Sequence, residues 1–92
     1  MNTGLWQNRG TEAETRAGME RKHLAARLRD AADRKKARLC RSGALSEPQR
    51  KLALELLRQQ TEDEMRRALG QQEFFAFKAF HYWWFRALSV AA

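Results

Sequence analysis

One proline occurs in the 92 residues, and its position decides the fold class. Pro48 stands in Ser46-Glu47-Pro48-Gln49. There it occupies a first helical turn, where the missing N–H is a donor that has no intrahelical partner in any case. Ser46 and Gln49 have the spacing of a capping box, in which each side chain satisfies the other's backbone N–H. The other punctuation is glycine at plausible helix ends, Gly43 and Gly70. Gly18 falls inside a helical stretch that tolerates it. No run alternates with period two for long enough to make a strand. The chain therefore predicts an all-α fold of three helices, at about 12–41, 47–69 and 72–89. Thr11 and Glu14 form a second capping box at the first start. Residues 1–10 are expected as a flexible tail and 11–92 as a single domain, a helical hairpin or small bundle with a long basic first helix. A chain this short buries only about 60–65% of its unfolded surface, so its core is thin.

Charge is concentrated in one segment. Residues 16–41 hold ten Arg or Lys against three acids, a net of +7, while the rest of the chain balances eight bases with eight acids. Within the segment, helical spacing places Leu24, Leu28, Ala31, Ala32 and Leu39 on one narrow stripe, with Arg21 and Lys35 inside it. Lys22, Arg27, Arg29, Arg34, Lys36, Arg38 and Arg41 occupy the remaining circumference. Arginine outnumbers lysine thirteen to five over the chain, and its planar fork suits bidentate contact with phosphate or carboxylate. The Ala25-Ala26 pair with arginines beyond it is similar to the basic region of leucine-zipper proteins. The asparagine before that pair is absent, His23 being nearest, and no leucine repeat follows, so membership is not assigned.

The second helix carries Leu54, Leu57, Thr61, Met65 and Ala68 on one stripe, with Leu52 and Leu56 on another side. It is expected at the centre of the arrangement, with the basic helix on one flank and the aromatic helix on the other. Glu62, Asp63 and Glu64 lie at ion-pair spacing from Arg58, Arg66 and Arg67.

Eight of the nine aromatic residues fall in the thirteen-residue stretch 74–86. On one continuous helix, Phe74, Phe77, Phe80, His81, Trp84, Phe85 and Leu88 span an arc of about 140°, a core face. Phe75, Tyr82 and Trp83 lie on the other side, Phe75 and Tyr82 seven residues apart and so stacked, with Lys78 and Arg86 near them. Trp, Tyr and Arg dominate binding hot spots, and the same composition suits a membrane interface or a base stack.

Catalytic chemistry finds no footing. His23 and His81 lie on different helices, and with Cys40 they do not make a metal site. No glycine-rich phosphate loop is present, and neither a cofactor nor an enzyme is expected. The lone cysteine leaves no internal disulfide and fits a reduced thiol in the cytoplasm. No apolar opening resembles a secretory signal, and Lys78, His81 and Arg86 interrupt the stretch from Phe74 to Ala92. The C-terminal Ser89-Val90-Ala91-Ala92 is similar to tails read by bacterial unfoldase–proteases.

The expected function is that of a small regulatory, inhibitory or accessory protein. It docks on a larger protein or nucleoprotein complex through a basic helix (Arg21, Lys22, Arg27, Arg29, Arg34, Lys35, Lys36, Arg38, Arg41) and an aromatic helix (Phe75, Lys78, Tyr82, Trp83, Arg86). Direct binding of DNA or RNA is the first alternative. A membrane-surface accessory subunit is the second. The alanine-rich seam and the outward aromatics also leave room for a homo-oligomer.

Overall fold

In the computed structural model the backbone is described over residues 2–90 and the side chains over 16–90. Four helices follow one another: α1 (Asn2–Arg41), α2 (Glu47–Leu69), α3 (Gln71–Phe80) and α4 (Tyr82–Leu88). The described residues contain no strand, as the absence of alternation implied. α2 keeps the expected bounds. α1 is drawn from Asn2, ten residues ahead of the expected start at 12. The Thr11–Glu14 box and the tail over 1–10 lie outside the residues whose side chains are described.

The capping box on α2 forms as read. Ser46 Oγ accepts from the Gln49 N–H at 3.3 Å, and the Ser46 N–H donates to Gln49 Oε1 at 2.9 Å. The preceding turn has a second fastening that no local pattern announced. The Arg50 guanidinium donates to the carbonyls of Leu39 (3.2 Å), Ser42 (3.0 Å) and Leu45 (3.4 Å). It thus supplies a donor to a carbonyl in the last turn of α1 and places positive charge at that helix's negative end.

α2 folds back on α1 along a seam centred on Ala25 and Ala32, 1% and 2% exposed. Ala32 belongs to the expected stripe, whereas Ala25 lies one residue round from it, and Leu24, Leu28, Ala31 and Leu39 are half-buried. Ala25, Ala32 and Leu39 repeat every seven residues, the period of a coiled-coil seam, and alanine lets two backbones approach closely. Arg21 is half-buried and Lys35 is exposed. On α2, Leu54, Leu57, Thr61, Met65 and Leu69 are buried. The Thr61 hydroxyl is satisfied by the Leu57 carbonyl at 2.7 Å. Ala68 is only half-buried.

The expected third helix is two. α3 starts at once after Gly70, whose φ of 81° and ψ of 162° belong to a region open essentially to glycine alone. It ends at His81, where φ −113° and ψ 26° leave helical geometry. The His81 ring stacks on Phe77 with centroids 4.1 Å apart, and its Nδ1 lies 3.0 Å from the Phe77 carbonyl. The same carbonyl accepts the His81 backbone N–H at 2.9 Å. A side chain that competes for the carbonyl at the end of a helix favours a stop there.

The break re-aims the aromatic side chains. Phe74 and Phe85 are fully buried and meet edge-on at 6.2 Å, and Phe77 meets Phe85 edge-on at 6.1 Å. With Ala25, Met65 and Leu69 they form one core cluster, and Ala32, Leu54, Leu57 and Leu88 form another. Half-buried Trp84 packs against both. Phe80 corrects the expected core face: it is 89% exposed. It stood at the extreme edge of the 140° arc, farthest from Phe74, and the helix stops right after it.

The place of the aromatic segment also differs from the expectation. It does not cover the second apolar side of α2, where Leu52 and Leu56 remain exposed. Instead it lies across both long helices. Trp84 Nε1 donates to Asp33 at 2.9 Å, and Lys36 Nζ donates to the Ala87 carbonyl at the end of α4. On α2, Glu62 is 8% exposed and sits between Arg58 (2.9 Å) and Lys78 of α3 (2.7 Å). Glu55 also pairs with Arg58, and Asp63 with Arg66 at 3.2 Å.

Candidate functional site

The nine cations read from the basic helix divide into two groups. Three hold the aromatic segment in place. Arg21 pairs with Glu73 of α3 at 2.8 Å. Lys36 caps α4 as described, and Arg29 lies 5.8 Å over the Trp84 ring. Arg21 Nε and Glu62 Oε1 meet their partners at ion-pair distance but away from hydrogen-bond alignment, so charge carries both contacts.

The second group points outward. Lys22, Arg27, Arg34, Lys35, Arg38 and Arg41 are exposed. Among the described residues none of these six pairs with a carboxylate, and Arg41 Nε donates to the Ala37 carbonyl of its own helix at 3.2 Å. Arg27, Arg34 and Arg41 recur every seven residues, as the seam alanines do. Arg34 is nine residues from Ala25, half a circumference away. The arginines therefore form a row along the back of α1, about 10 Å apart.

The aromatic face is smaller than expected. Trp83 is 74% exposed and Tyr82 49%, their rings meeting edge-on at 5.5 Å. Arg86 lies 5.7 Å over the Trp83 ring. These three form a cationic aromatic knuckle on α4. Phe75 is exposed on α3 but pairs with Phe74 at 6.2 Å. The predicted stacking of Phe75 on Tyr82 assumed one straight helix, and the break at His81 intervenes. Lys78 leaves the face as well, drawn inward to Glu62.

Two further features had no clear signal in the chain. Phe80 borders a groove of about 350 Å³ floored by Ala25, Leu69 and Phe77, with Arg21 and Glu73 at its rim. A groove of about 590 Å³ opens between α1 and α2 near the turn.

Among the described residues no three His, Cys, Asp or Glu side chains converge as metal ligands, and no helix is long and apolar enough to cross a membrane. Cys40 is half-buried against the second core cluster. Compared with known proteins, the chain matches no family model, no curated protein and no solved structure.

Proposed function

We propose that the protein acts by binding rather than by catalysis, as a small regulatory or accessory subunit that docks on a larger macromolecular assembly. The supporting observation is the outward placement on α1 of six cations that pair with no carboxylate among the described residues, beside a second group that the fold consumes. Cations that serve the fold have a partner in it: a carboxylate for Arg58 and Lys78, a carbonyl for Lys36 and Arg50, a ring for Arg29. The arginine row steers an acidic or phosphate-bearing surface, and the Tyr82–Trp83–Arg86 knuckle supplies an anchor of the residue types that dominate hot spots. The test is capture from an extract of the source cell, treated with nuclease. A defined set of proteins should be retained by the wild type and lost by the triple variant Arg27→Glu, Arg34→Glu, Arg41→Glu. A set unaltered by that variant would overturn the proposal.

A second reading is direct binding of nucleic acid, favoured by the arginine row alone. Neutralising phosphates makes affinity fall steeply with salt, by a slope near 0.9 for each phosphate contacted on duplex DNA. Binding to duplex or single strand that is flat between low and moderate salt would remove it.

A further inference from the structure

The hairpin of α1 and α2 has two faces. α3 and α4 cover one, through Trp84 to Asp33 and Lys78 to Glu62. The other bears the groove of about 590 Å³. Its walls run from Lys35 on α1 to Ser42 just past that helix's end, and from Ala53 to Gln60 on α2. Each wall spans eight residues, about two helical turns or about 10 Å end to end. Leu39, Leu45, Leu56 and Leu57 make it apolar, while Lys35 and Arg38 stand along the α1 side. No carboxylate is among the lining residues.

The shape is set in advance. Arg50 ties together the carbonyls of Leu39, Ser42 and Leu45, three residues that line the closed end at the turn. A groove held this way loses little conformational freedom on binding.

We propose that this groove receives an amphipathic helix of another protein, with two turns of apolar side chains flanked by acidic residues. The length admits anchors at i, i+3 or i+4, and i+7, the pattern of helix-in-groove recognition. Lys35 and Arg38 select the flanking charge, since like charges set against them are rejected. A second copy is a poorer match: the outer face of α1 carries Arg27, Arg34 and Arg41, and the α4 knuckle carries Arg86. The proposal does not depend on the arginine row or on the reading above.

The test uses full-length protein and fluorescence polarisation of a synthetic helical peptide of about 14 residues, with leucines at i, i+4 and i+7 and glutamates beside them. The acidic peptide should bind, and its lysine-substituted counterpart should not. Leu56→Gln is a surface change that leaves the hairpin folded, and it should weaken binding about tenfold or more, as should Lys35→Glu with Arg38→Glu. That double variant should instead accept the lysine peptide. Arg27→Glu, two turns away from Lys35 along α1, should shift the affinity by less than about threefold. Failure of the acidic peptide to bind overturns the proposal. So does binding that ignores Leu56→Gln but follows Arg27, since that is charge attraction to the back of α1. A dimer in sedimentation equilibrium that Leu56→Gln abolishes gives the groove to a second copy and also overturns it.

Discussion

Arg50 does more for this fold than its place in the sequence suggests. One planar guanidinium meets three carbonyls of the turn, which a compact ammonium does not reproduce. Arg50→Ala should cost about 1–3 kcal/mol in urea denaturation, because partly buried carbonyls lose their donors. Arg50→Lys should recover less than half of that loss. Glu55 gives a pH signature of a different kind. Its hydrogen bond to Arg58, aided by that residue's charge, holds the carboxyl below its ordinary value. A depressed folded value means stabilisation that is complete above the unfolded carboxylate pKa and is lost as pH falls through the folded one. The stability curve should therefore steepen on the acid side, and Glu55→Gln should flatten that limb in melts recorded from neutral pH downward. At this scale the sequence was legible where contacts are local: Arg58–Glu62 and Asp63–Arg66 follow from i, i+4 and i, i+3 spacing. Lys78–Glu62 and Arg21–Glu73 were not legible, since they depend on how α3 lies across the other helices.

The helix ends carry the element-scale account, and two glycines test it in opposite directions. Gly70 has backbone angles that a side chain strains, although a Cβ there would meet no neighbour. Gly70→Ala should destabilise by about 1–3 kcal/mol. A Cβ at Gly18 also meets nothing within 4 Å, and that residue lies within α1. Gly18→Ala should stabilise by about 0.5–1 kcal/mol, on helix propensity alone. Calorimetric melting of the pair checks both signs, and equal shifts would contradict the backbone assignment. The bounds of α2 were legible because Ser46, Gln49 and Gly70 are explicit caps. The division at His81 was not legible, because no Gly or Pro marks it and the cause is a ring reaching its own helix. The seam, read correctly at Ala32, was missed at Ala25 for a similar reason. Alanine gives a weak hydrophobic signal, so Leu24 and Leu28 outweighed Ala25, although close approach needed the smaller residue.

The whole molecule is elongated, 67 Å by 19 Å by 18 Å. Its radius of gyration is 17.9 Å, against about 12 Å for a compact chain of this length. Among the described residues the long helix presents a broad cationic surface, with Lys22, Arg27, Arg34, Lys35, Arg38 and Arg41 exposed. The concentration of that charge was plain in residues 16–41. Which cations brace the aromatic segment was not, since Arg21, Arg29 and Lys36 are chosen by where α3 and α4 land. Repulsion along the arginine row predicts that added salt up to about 0.3 M raises the melting temperature while it weakens binding, a divergence readable by parallel thermal and binding titrations. We propose that the arginine row and the α4 knuckle serve binding and not the fold. This proposal is tested most directly by the affinity of the combined variant Arg27→Glu, Arg34→Glu, Arg41→Glu, Trp83→Ser for the assembly that the wild type captures. The expected result is a folded variant that binds at least about a hundredfold more weakly, a loss near 2.7 kcal/mol. A folded variant whose affinity stays within about twofold of the wild type would contradict it.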